Sequence, residues 1–225
     1  DNPELYRVVE NLGITAGLPL PRIYILNEAQ PNAFATGRDK NHAVIAVTRG
    51  LLEKLDKTEL EGVISHELSH IGNKDMLLST IIVVLVGMVV IMTDFFFRIS
   101  FRSSFSSGRS RDGGQIKLAM MVVALSLAIL APFFATLIRL AISRKREFLA
   151  DATAALLTRY HECLARALEK ISADTNPLKI ANDATSHLYI TSPFRGKEQT
   201  SWLHKLFMTH PPVEERVRAL RGMTI

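Results

Sequence analysis

His66-Glu67-Leu68-Ser69-His70 sets two imidazoles four residues apart, with a carboxylate beside the first. On a helix such residues lie about 40° apart in projection and one turn along, so both rings can meet at one metal ion. Glu67, turned about 100° from His66, stays near the metal-facing side. It is placed to take a proton from a water that the ion has acidified. The chemistry this spells is metal-assisted peptide hydrolysis. The competing reading is two surface or core histidines on an ordinary helix.

A third ligand is required. Cys163, the single cysteine, is too few for a cysteine-based zinc site and excludes an internal disulfide. Downstream, Glu147 stands in Arg146-Glu147-Phe148-Leu149-Ala150-Asp151 on a predicted helix. Asp151 falls four residues on and so shares its face, where it can accept the second ring N–H of a metal-bound histidine. The alternative pairs both acids with Arg144, Lys145 or Arg146 as solvated charge. His42, His161, His187 and His204 read as surface or internally satisfied residues, and Cys163 as a small packing residue.

These groups need elements to hold them. Thr58-Glu59-Leu60-Glu61 has capping-box spacing and predicts the start of the catalytic helix, which runs on toward Asn73. Asn2-Pro3-Glu4 predicts an earlier helix to about Ala16, ended by Gly17. Arg22–Leu26 and His42–Thr48 are short and β-rich, and Asn32–Gly37 supplies a third strand of a small sheet. That third run, Asn32, Ala33, Phe34, Ala35, Thr36 and Gly37, is expected to be an exposed edge that takes an extended substrate through backbone hydrogen bonds. An ordinary structural strand is the alternative. Past Ile142 the chain predicts helices over 143–158 and 160–171, an irregular stretch over 182–199 and a last short helix over 211–221. The class is α+β, mainly α.

Leu77–Phe97 carries a single charge, Asp94, and Leu118–Ile138 carries none but includes Pro132. Each is long enough to cross a bilayer as a helix, with a buried hairpin in a soluble protein as the alternative. The connector Arg98–Lys117, rich in Ser, Gly and Arg, reads as flexible. The chain is 48% hydrophobic, with mean hydropathy +0.16, net charge +5 and pI about 9.5. Its basic residues are scattered and weakly interleaved with aromatics, which argues against nucleic acid. Many flank the apolar stretches, which fits an anionic membrane surface. Both ends of those stretches carry comparable positive charge, so charge does not decide the orientation. The opening at Asp1, with helix-start chemistry and no signal peptide, reads as a piece of a longer protein.

Near the far end, His210 precedes Pro211-Pro212, which stiffen the backbone at a helix start, and Arg216 follows six residues later. Both are expected to reach the metal cleft and stabilise the oxyanion that forms when water attacks a peptide carbonyl. The alternative leaves Arg216 on the surface, paired with Glu214 or Glu215.

Several segments together resemble the HtpX-type membrane metallopeptidases, which are related to the zinc proteases that process prenylated proteins (CAAX prenyl proteases). They are Ala16–Pro21, Asn32–Gly37, His66–His70, Glu147–Asp151, Ser186-His187-Leu188-Tyr189-Ile190, and Thr209–Pro212 with Glu215-Arg216. The likeness covers nearly the whole chain. It implies a zincin-like fold of the gluzincin kind, with one Zn²⁺ per chain on His66, His70 and Glu147, and Glu67 as base. It implies a peptidase domain in two halves, 1–76 and 139–225, around a transmembrane hairpin, 77–138. It raises His187 as a residue that lines the cleft, and it implies further membrane helices ahead of residue 1. The function implied is quality control: endoproteolysis of misfolded or damaged membrane proteins. The implied partners are polypeptide substrates and the bilayer, without nucleic acid. The implied location is the cell membrane, multi-pass, with the active site toward the cytoplasm. Two alternatives are a narrow-specificity protease of prenylated proteins and an inactive zinc-binding membrane scaffold.

Overall fold

A computed structural model describes residues 2–106, 114–174 and 210–224 of the chain. These fall into two compact units, Asp1–Leu78 with Ser143–Ile225, and Ser79–Ile142.

The first unit opens with helix α1, Pro3–Ala16. Asn2 caps it by accepting from the Leu5 N–H at 3.0 Å, and Gly17 ends it at φ 64°, a left-handed position that glycine adopts without strain. Three strands follow, β1 Arg22–Leu26, β2 Ala33–Thr36 and β3 Val44–Thr48, in the order β1-β3-β2. β1 runs parallel to β3, with Ile23 opposite Ile45, and β2 runs antiparallel, with Ala33 opposite Val47. His42, expected at the start of the third strand, instead closes a 3₁₀ turn, Lys40–His42, because Asp39 captures the N–H groups of Asn41 and His42.

A short helix α2, Arg49–Lys54, leads into α3, Lys57–Gly72. The expected capping box at Thr58 and Glu61 is displaced. Asp56 and Glu59 form it instead, Glu59 N–H donating to Asp56 Oδ1 at 2.9 Å and Asp56 N–H to Glu59 Oε2 at 3.0 Å. Leu55 and Leu60 flank this box at hydrophobic-staple positions, and both are buried, which fixes the helix two residues earlier. α3 packs against α1, β2 and α6, His161–Ser172. Gly62 permits the α3–α6 approach: a Cβ there would stand 2.7 Å from Leu164 N. The last helix, α7, spans Val213–Arg221 rather than starting at Pro211, since Pro212 serves as its N-cap. Arg221 ties it to α6 through Glu162 and Glu169, at 2.7 and 2.8 Å.

Helix α4 spans Asp75–Ser106 and helix α5 spans Gly114–Thr158. Two expectations are corrected here. Residues 98–106 of the connector continue α4 as helix, and α5 runs unbroken through Pro132 and Ser143 rather than restarting after Ile142. The middle of the connector and the Asn182–Gln199 segment, with His187 and His204, lie outside the described residues. The second unit holds the apolar parts of α4 and α5. The described residues do not cover their apolar windows, and Leu85, Ile91, Phe95 and Ile129 among others are exposed. A hairpin buried in a soluble core would hide those side chains, so the structure disfavours that alternative.

Candidate metal centre

Local sequence explains why α3 carries its polar residues inside the core. Ser65 and Ser69 return their hydroxyls to the helix, donating to Gly62 O at 2.8 Å and Ser65 O at 2.7 Å. That leaves His66, Glu67 and His70 as the other polar side chains of this stretch. The two imidazole rings meet edge to face, with centroids 4.6 Å apart and Nε2 atoms 3.1 Å apart.

Glu147, on α5, completes a triangle. Its Oε2 lies 3.7 Å from His66 Nε2 and its Oε1 lies 3.6 Å from His70 Nε2. Two ligand atoms of one tetrahedral ion, each about 2.0–2.1 Å from it, are about 3.3–3.5 Å apart. The observed triangle has that size, and these three residues can hold one metal ion. The tautomers agree. His66 Nδ1 lies 2.9 Å from Asp151 Oδ1 and His70 Nδ1 lies 2.7 Å from Asp75 Oδ2. With Nδ1 donating to a carboxylate in each ring, both Nε2 atoms turn lone pairs to the same point. Glu147 Oε2, also buried, has no aligned hydrogen-bond donor among the described residues. Three acceptors at this spacing make the donor set of a cation site.

The surrounding charge agrees. Burial opposes a proton on His70, but its bond to Asp75 and the fields of Glu147 and Glu67 raise its pKa to about 9. The site therefore draws positive charge strongly. Burial would raise the Glu147 carboxyl, yet His210, Arg216 and His70 hold it well below the usual carboxylate range. Asp151 likewise lies at about 2: burial opposes its ionisation, and Arg216 and His66 more than offset that. Formally, the carboxylates of Glu67, Asp75, Glu147 and Asp151 face the guanidinium groups of Arg146 and Arg216. Glu67 is buried on the same helix as the histidines, and its charge acts on both His70 and Arg216.

The remaining expected residues are placed as follows. Arg216 is 1% exposed, not on the surface with Glu214 or Glu215. Its Nε and Nη2 donate to Asp151 at 2.8 and 2.6 Å, and its Nη1 lies 3.3 Å from Glu147 Oε2. It backs the ligands. His210 Nδ1 sits 3.2 Å from Glu147 Oε2, at the rim of the triangle. β2 is an edge strand packed against α3, but the run is shorter than expected. Asn32 is buried and turns its Oδ1 onto the Ala33 N–H, while its own N–H donates to Thr48 Oγ1 at 2.8 Å. Gly37 follows the strand at φ 145°, where a Cβ would strike His42 O.

Asp75 and Arg146 have roles that sequence reasoning missed. Lys74, at φ 58°, turns the chain sharply after α3 and sends Asp75 back onto His70. Arg146 holds Asp75 and donates from Nη2 to Asn73 O at 2.7 Å, satisfying a carbonyl at the end of α3. The available signal was a carboxylate five residues past the second histidine, just beyond the helix end.

The sequence profile described as Peptidase family M48 matches residues 1–224. A Dictyoglomus turgidum protein named Protease HtpX homolog is 52% identical over 221 residues, which cover 98% of this chain and 69% of that protein. A Pyrococcus furiosus protein of the same name is 49% identical over 229 residues, covering 99% and 74%. Among solved structures, the crystal structure of S. mikatae Ste24p superposes with a TM-score of 0.64 at 22% identity. The match covers 98% of this chain and half of that one, and at that identity it speaks to the fold alone.

Proposed function

This chain belongs to peptidase family M48 and is a membrane metalloprotease, and from that premise we propose how its residues divide the work. His66, His70 and Glu147 hold one zinc ion, a reading carried by the 3.1–3.7 Å triangle of their donor atoms. Zinc in that place would supply a Lewis acid for the scissile carbonyl and a more acidic attacking water. Glu67 accepts the proton of that water and returns it to the leaving amine. Asp151 and Asp75 fix the tautomers of His66 and His70, and Arg216 keeps Asp151 and Glu147 ionised. His210, at the open side of the triangle, donates toward the oxyanion, with Arg216 adding positive charge behind it. An extended polypeptide docks beside the strand β2, held by backbone bonds, so side-chain selectivity is loose.

The substrates are polypeptides, and the class proposed is misfolded or damaged membrane protein, cut on the cytoplasmic face. The HtpX names of the relatives support this quality-control role. A prenyl-specific protease has less support, because the likeness to Ste24p is one of fold. An inactive scaffold has no use for a buried glutamate beside the first histidine. The deciding experiment is Glu67→Gln in detergent-solubilised protein. Zinc content should be unchanged and casein cleavage abolished, whereas full activity would end the mechanism.

A further inference from the structure

Ala16-Gly17-Leu18-Pro19-Leu20-Pro21 takes no part in the hydrolytic site. No Asp, Glu, Lys or Arg occurs between Glu10 and Arg22. Two large apolar side chains stand on the surface of this stretch: Ile14 is 73% exposed and Leu20 45%. Several of its backbone donors are already bonded or absent. Gly17 and Leu18 donate their N–H groups to Ile14 O and Gly13 O, and Pro19 and Pro21 have none to satisfy. A chain segment leaves water at lower cost when its side chains are apolar and fewer of its donors are open.

Its position says what covers it. Leu18 lies against Gly72, the last residue of α3, where a Cβ would stand 3.7 Å from Leu18 Cδ1. Three residues on, Asp75 opens the apolar helix α4, whose Leu77 is itself exposed. The loop therefore sits beside the point where the chain begins its candidate membrane span. Exposed Arg22 and Lys74 flank it, as cations that meet lipid phosphates. We propose that Ile14 and Leu18–Leu20 form a second bilayer contact, an apolar loop dipping into the headgroup–acyl boundary next to the first turn of α4. Its occupant is lipid, and it fixes the depth at which the peptidase unit rides on the membrane.

The proposal rests on α4 being a bilayer helix, and the test separates the two. Ile14→Cys, Leu20→Cys, Glu53→Cys and Leu85→Cys are made singly in the 225-residue chain carrying Cys163→Ala. Each is labelled with bimane and reconstituted into phosphatidylcholine–phosphatidylglycerol vesicles, with or without nitroxide-bearing lipid. Leu85, on α4, reports the bilayer, and Glu53, exposed on α2, reports water. Labels at 14 and 20 should be quenched several-fold more than the label at 53. Quenching at 85 with 14 and 20 at the level of 53 overturns the loop contact alone. No quenching at 85 removes the membrane helix and the loop contact together. Melting curves matching the parent chain show that each variant is folded, as expected for exposed positions.

Discussion

Gly62→Ala and Gly72→Ala are the same substitution on the same helix, and the structure assigns them opposite outcomes. A Cβ at Gly62 would stand 2.7 Å from Leu164 N and 2.9 Å from both Cys163 C and Leu164 Cα. These are backbone atoms of α6 and cannot rotate aside. Reaching ordinary contact requires α3 and α6 to part by about 0.5–0.7 Å in an interior that is already close-packed. Overpacking of this kind costs about 1–3 kcal/mol, and alanine's better helix propensity returns about 1 kcal/mol. The net loss is up to about 2 kcal/mol, or a fall in Tm of up to about 8 °C for a domain of this size. At Gly72 a Cβ meets only Leu18 Cδ1 and Cδ2, at 3.7 and 4.0 Å, so the propensity gain stands alone. Because His66 lies one turn beyond Gly62, half an ångström of displacement should also lower peptidase activity by roughly tenfold. The assay is thermal unfolding in detergent followed by far-UV circular dichroism, paired with casein cleavage. Equal shifts for the two variants would refute the close-approach argument.

Other outcomes follow from the site. Asp75→Asn should weaken zinc binding by about 10–100-fold in a chelator competition, since His70 loses the carboxylate that orients it; unchanged affinity would show that the contact is incidental. Arg216→Met strands two buried carboxylates, so the metal-free protein should lose about 3–5 kcal/mol of stability, and Arg216→Lys should not restore it fully because the two-pronged bond to Asp151 is gone. A metal-free Arg216→Met protein that melts like the parent contradicts this. Ala35→Pro removes a backbone donor from β2 and should raise KM for an unfolded substrate; a folded variant with unchanged KM means that substrate does not dock there.

What could be read from sequence was whatever a few neighbouring residues decide. The limits of α1 follow from Asn2, Pro3 and Gly17, each acting within one turn. The shared face of His66 and His70, and that of Glu147 and Asp151, is plain helical arithmetic. Local spacing sets the cap of α3 two residues late, because two capping pairs, Asp56/Glu59 and Thr58/Glu61, compete. Only the burial of Leu55 and Leu60 separates them. At Ser143 a change from apolar to charged composition resembles a boundary, although α5 crosses it without a break. Arg216 illustrates the remaining gap. Its acidic neighbours at 214 and 215 are obvious in the sequence, but its true partner, Asp151, lies far back along the chain. Asp75 was passed over for a different reason: its contact depends on the left-handed turn at Lys74, which composition does not announce.

The donors of the proposed zinc site come from both sides of the segment Ser79–Ile142, with His66 and His70 before it and Glu147 after. An ion that joins His70 to Glu147 closes a loop of about 80 residues, so it restrains the unfolded chain as a cross-link would, and chelation should loosen more than the site itself. The arrangement also orders events in time. A ribosome delivers the two histidines first, then both apolar helices, and only afterwards Glu147, Asp151 and Arg216. Until the second apolar helix has been made, the chain has a base and half a metal site but no complete centre. On the proposed assignment, proteolytic competence therefore arrives only after both membrane-seeking segments have been made.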